Sequence, residues 1–68
     1  MTVGSQVKQT AASLKGVRAT LDIYASQSPK EEEKVIYERN SKTIETIIEF
    51  LEERISQLEY EEPQYKGF

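Results

Sequence analysis

Ser28-Pro29-Lys30-Glu31 is the stretch on which the fold turns. A serine at an N-cap accepts from the exposed amides of the next turn. Proline suits the first helical position, where its missing N–H would have had no partner, and glutamate three residues after the serine completes a capping box. Glu32 and Glu33 follow, where the positive end of a helix dipole favours acids. This spells a new helix beginning at Pro29. An earlier helix must end just before it, so the connection is short and the two helices are antiparallel neighbours.

Upstream of the turn, Val3, Val7, Thr10, Leu14, Val17, Leu21 and Tyr24 recur at steps of four and three. That is a single helical stripe over about residues 3–27. Ala11 and Ala25 broaden it with small side chains that let a neighbouring helix come close. Gly16 costs roughly 1 kcal/mol relative to alanine and reads as a tolerated glycine. Downstream, Ile36, Tyr37, Ile44, Ile47, Ile48, Leu51, Ile55 and Leu58, flanked by Val35 and Phe50, form a wider arc over residues 29–60. At ~1.5 Å per residue the second helix reaches about 45 Å, against roughly 37 Å for the first. The shorter helix, with a narrow stripe, cannot cover so wide an arc.

The expected fold is therefore all-α: an antiparallel two-helix hairpin over residues 1–60, dimerising into a four-helix bundle. Its core and self-association interface draw on Leu14, Val17, Leu21, Tyr24, Tyr37, Ile44, Ile47, Ile48, Leu51, Ile55 and Leu58, with Val7 beside them. Pro63 stops the second helix and leaves residues 61–68 as an extended or disordered tail, in which Pro63, Tyr65 and Phe68 are candidate partner-binding residues.

Composition narrows the function. A chain of 68 residues is at most one small domain, and such chains bury only about 60% of the surface their unfolded form exposes. Disulfides, a metal or oligomerisation usually make up the deficit. Cysteine and histidine are both absent, which removes disulfides, thiolates and the commonest metal ligand and general base. Oligomerisation is the remedy left. The net charge of −3 divides unevenly: residues 1–28 hold Lys8, Lys15 and Arg18 against Asp22, while residues 29–68 carry six basic and eleven acidic side chains. Halves of opposite sign fit a chain that folds back on itself or pairs with a copy. An acidic total opposes nucleic-acid binding. No segment is long and apolar enough to insert in a membrane, and the N-terminus lacks the pattern of a signal peptide, so a cytoplasmic protein is expected.

Each candidate for chemistry has a plainer reading. Glu45, Glu49, Glu52 and Glu53 stand at helical spacings that could hold a divalent cation or small molecule, but they read first as a solvated face. Tyr24 and Tyr37, near the short connection, read as packing residues with hydroxyls at the rim. Asn40 sits beside the apolar arc, at a position that is either a register-setting polar contact or simply wet. Lys8, Lys15 and Arg18 are best accounted for by packing against the acidic second helix. The serines and threonines have no identifiable base or oxyanion site, so no enzyme activity and no cofactor are expected.

Both ends carry a resemblance. Met1-Thr2-Val3-Gly4-Ser5-Gln6-Val7-Lys8-Gln9-Thr10, Ala12-Ser13-Leu14-Lys15-Gly16 and Glu61-Glu62-Pro63-Gln64-Tyr65-Lys66-Gly67-Phe68 look like a small bacterial family, domain of unknown function 1657, of endospore-forming Firmicutes. Ala11 stands where the family has a larger apolar residue, and Ser28-Pro29 where it tends to Gln and Asn. The resemblance implies a sporulation-associated protein of the forespore or spore interior. It also implies proximity to spoVA-type spore membrane-channel proteins, linked to dipicolinate uptake and spore heat resistance. It supplies no catalytic residue and no ligand. The function expected is a small non-enzymatic structural or protein-interaction protein, with a metal- or small-molecule-binding bundle as the alternative.

Overall fold

The computed structural model describes residues 3–61 as two helices, α1 (Val3–Gln27) and α2 (Glu31–Glu61). Ser28-Pro29-Lys30 joins them, and three residues leave α2 no course but back along α1. The pairing confirms an antiparallel hairpin: Tyr24 meets Tyr37 beside the connection, and Lys8 meets Glu59 at the open end. The result is a rod of 50 × 17 × 12 Å.

The connection is built differently from the capping box expected at Ser28. The Ser28 hydroxyl turns backward and donates to the Tyr24 carbonyl, 2.7 Å away, so it closes the last turn of α1 rather than the first turn of α2. The first α2 bond runs from the Lys34 N–H to the Lys30 carbonyl at 3.1 Å, and α2 begins at Glu31. A serine just past a helix end has two uses for its hydroxyl. Here the orphan carbonyl wins over the orphan amides. Glu31, Glu32 and Glu33 still occupy the first turn, where they oppose the dipole's positive end.

The inward faces follow a strict seven-residue repeat. On α1 the residues turned toward the partner helix are Gly4, Val7, Ala11, Leu14, Arg18, Leu21 and Ala25. On α2 they are Lys34, Tyr37, Ser41, Ile44, Ile48, Leu51, Ile55 and Leu58. Steps of three and four alternate without a break on both helices, the spacing that keeps one seam facing a partner along its whole length. Buried at the centre are Ala11, Ala25, Ile48 and Ser41; no large side chain is completely enclosed. The α1 side of the seam thus mixes small residues with larger ones, and small side chains let helices come close.

That seam corrects the α1 stripe read from the sequence. Val7, Leu14 and Leu21 point inward as expected. Val17 and Tyr24, expected in the core or the self-association interface, lie half-exposed on the edge of the seam within one chain, 47% and 49% accessible. Gly4 and Arg18 join Ala11 and Ala25, which were expected to admit a close neighbour, at the inward positions. A stripe of larger residues one position earlier attracts the reading, but close helix approach selects the small ones. Ile47 of α2 is displaced to the edge in the same way. Pro63, Tyr65 and Phe68 lie outside the described residues.

Two substitutions test the packing. Ile48→Asp should abolish the helical circular dichroism signal at micromolar concentration, because it puts an unpaired charge at the most buried large side chain of a small core. Ile48→Ala should cost about 2–5 kcal/mol in denaturant titration. A Cβ added at Gly16 meets nothing within 4 Å, so Gly16→Ala should stabilise the helix by about 0.5–1 kcal/mol in the same titration.

Candidate interaction surfaces

The seven-residue repeat leaves two long edges beside the seam, and their chemistry differs completely. On one edge, cations of α1 meet acids of α2. Lys8 Nζ lies 3.2 Å from Glu59 Oε2, Lys15 Nζ 2.8 Å from Glu52 Oε2, and Arg18 Nη2 3.1 Å from Glu45 Oε2. The three acids are spaced by seven, as are the two lysines, so the pairs form a ladder along the rod. All six side chains are more than a third exposed. Each pair therefore contributes less than about 1 kcal/mol and serves alignment more than stability. Glu45 and Glu52, expected on a solvated face, are thus committed to α1.

The ladder changes character at Asp22, the one acid of α1. By spacing, residue 22 would be the third cation. Arg18, one turn earlier and within the seam, takes Glu45 in its place, and Asp22 Oδ1 accepts from the Ser41 hydroxyl at 2.6 Å. Arg18, Asp22, Ser41 and Glu45 make a polar layer across the middle of an otherwise apolar seam. Arg18 Nε is buried there without a hydrogen-bond partner, while its methylene stem fills the layer.

The opposite edge carries no ion-pair ladder and holds several exposed apolar side chains among the polar residues Thr10, Glu33, Asn40 and Arg54. Val17 and Tyr24 of α1 stand on it, and on α2 Ile47 stands beside Ile36 and Phe50, which are 53% and 67% accessible. Val3 extends the row toward the open end. The Tyr24 ring packs edge-on to Tyr37 with centroids 5.6 Å apart and planes 61° apart, a favourable aromatic geometry that holds Tyr24 at the rim. Beyond Phe50, a shallow recess is lined by Phe50, Glu53, Arg54 and Gln57, residues of one face of α2. Arg54 Nη1 donates to Gln57 Oε1 at 3.3 Å within it.

Of the residues the sequence nominated, Leu14, Leu21, Tyr37, Ile44, Ile48, Leu51, Ile55 and Leu58 face the partner helix within one chain. Val17, Tyr24 and Ile47 stand on the apolar edge, and Asn40 is exposed. Sequence reasoning missed Gly4, Arg18 and Ser41 as seam residues. The signal for them was the seven-residue spacing of Gly4, Ala11, Arg18 and Ala25, and of Ser41 with Ile48. Among the described residues no three or more acidic side chains converge as a cation site. No described helix is long and apolar enough to cross a membrane.

A family model described as Protein of unknown function (DUF1657) matches residues 7–55. No curated protein and no solved structure matches the chain.

The polar layer makes a stability prediction. Asp22→Ala should destabilise the hairpin by about 1 kcal/mol in thermal or denaturant unfolding, because the buried Ser41 hydroxyl loses its acceptor. Adding Ser41→Ala should recover much of that loss. Additive costs would show that the two side chains act independently.

Proposed function

We propose that this chain, which belongs to the Protein of unknown function (DUF1657) family, is a small non-enzymatic structural protein that works by association, first of all with a second copy of itself. The observation that carries this reading is the unequal pair of edges. A hairpin that met only water would have no use for Val17, Tyr24, Ile36, Ile47 and Phe50 along one edge while the other is laced with ion pairs. Exposed apolar side chains gathered on one side of a small chain favour an interaction site there, although Ile23, Val35 and Tyr60 are exposed on other faces. The thin core adds to the case, since Ala11, Ala25 and Ile48 are its buried apolar side chains among the described residues. Association is the remaining way for so small a chain to bury more. The setting is the one the family resemblance implies: the interior of the forespore or spore, near membrane-channel proteins.

Light scattering across a dilution series, with helicity recorded in parallel, tests this. The expected outcome is twice the chain mass of 7.8 kDa at the concentrated end, with helicity falling as the dimer dissociates. A monomer of constant helicity at every concentration would overturn self-association.

A further inference from the structure

The reading just given leaves open which surface pairs and in what orientation; the distribution of residues on α2 answers both. We infer that two copies pack α2 against α2 in antiparallel fashion along the stripe that contains Ile36, Thr43, Ile47 and Phe50, with the two-fold axis passing beside Thr43. The inference rests on the proposal that the chain self-associates, and it specifies the interface.

Three observations carry it. First, the most exposed large apolar side chain on this edge, Phe50, belongs to α2 together with Ile36 and Ile47. Ile36, Thr43 and Phe50 recur every seven residues, and Asn40 and Ile47 lie alongside, a row of about 21 Å. The neighbouring α1 positions Ser13 and Thr20 are polar, so α1 contributes only the rim, through Val17 and Tyr24. Second, the positions that continue the stripe at its two ends carry opposite charges, Glu33 before it and Arg54 after it, both exposed, with the acids Glu32 and Glu53 on the outer side of each. A two-fold axis beside Thr43 reverses the row, so that Ile36 meets the partner's Phe50, Thr43 meets the partner's Thr43, and Glu33 meets the partner's Arg54. A parallel arrangement would instead set Arg54 against the partner's Arg54 and acid against acid. Third, the row runs lengthwise along a rod of 50 Å, so a copy laid along it can add flanking residues of both helices toward the about 800 Å² per partner that a specific interface buries. A self-complementary patch used identically by both copies is the form a two-fold dimer takes.

The charged edge fits no such pairing. Its cations and acids already satisfy one another within the hairpin, which leaves little to attract a copy. The second copy therefore belongs on the apolar edge, completing a four-helix bundle whose two central helices are α2 and its two-fold mate.

The absence of cysteine makes the test clean, because each introduced thiol is the only one in the chain. Full-length variants Thr43→Cys, Ile36→Cys, Phe50→Cys and, on the other side of α2, Ser56→Cys are treated with a short bis-maleimide. Thr43→Cys should cross-link to itself, and a mixture of Ile36→Cys with Phe50→Cys should cross-link between variants far more than within either. Ser56→Cys sets the background. Phe50→Lys, a change at a side chain already 67% accessible in the hairpin, should remain helical and weaken the dimer by about tenfold or more. A dimer that persists with Phe50→Lys, or a Thr43→Cys yield no higher than that of Ser56→Cys, would overturn the interface while leaving self-association standing. Self-linking of Ile36→Cys and of Phe50→Cys would overturn the antiparallel orientation. A wild-type chain monomeric at every concentration would overturn the self-association on which the inference rests, and the edge would then belong to a different protein.

Discussion

Close approach of two helices over small residues is the constraint from which the rest of this molecule follows. Gly4, Ala11 and Ala25 are buried on α1, while Ile44, Ile48, Leu51, Ile55 and Leu58 line the facing side of α2. Interhelical distance is set by the side chains at the contact, and small ones on one partner bring the axes together. The same close approach sends the larger residues of α1 to the edges. Val17 and Tyr24 are exposed because α2 already occupies the space beside Ala11 and Ala25. An apolar edge is thus the geometric consequence of a tight seam, and burying that edge requires a second molecule.

Alignment along the rod is a separate problem. The three-residue connection Ser28-Pro29-Lys30 allows little sliding of α2 along α1, and in that register Lys8, Lys15 and Arg18 reach Glu59, Glu52 and Glu45. Asp22 adds a polar contact of its own, accepting from the Ser41 hydroxyl at 2.6 Å. A polar contact inside a helical seam characteristically selects register at a modest cost in stability. The cost here is visible in the unpartnered Arg18 Nε.

The hairpin itself was legible because turn chemistry and periodicity agreed. Proline and three acids at a helix start, between two long apolar-periodic segments, leave few alternatives to adjacent antiparallel helices. The phase of α1 was half legible. Ala11 and Ala25 were read as the small residues over which a neighbouring helix comes close, and both are buried. Gly4 and Arg18, on the same seven-residue spacing, were not, because glycine carries little hydrophobic signal and arginine the wrong one. Ser28 illustrates a second limit: its hydroxyl can serve the helix behind it or the helix ahead, and composition does not say which. The charged edge was half legible, since Lys8, Lys15 and Arg18 were matched to an acidic partner helix, but not to Glu59, Glu52 and Glu45 individually.

If a tight seam exposes an edge that a second copy covers lengthwise, the dimer must be thicker than the hairpin and scarcely longer. Pairing beside Thr43 offsets the two α2 helices by six residues, about 9 Å, so a rod of 50 Å becomes one of about 60 Å. Small-angle X-ray scattering from the full chain at concentrations where it associates measures mass and length together. The account predicts doubled forward scattering with that small increase in maximum dimension. Doubled mass with a length near twice that of the hairpin, or scattering from a single chain throughout, would contradict it.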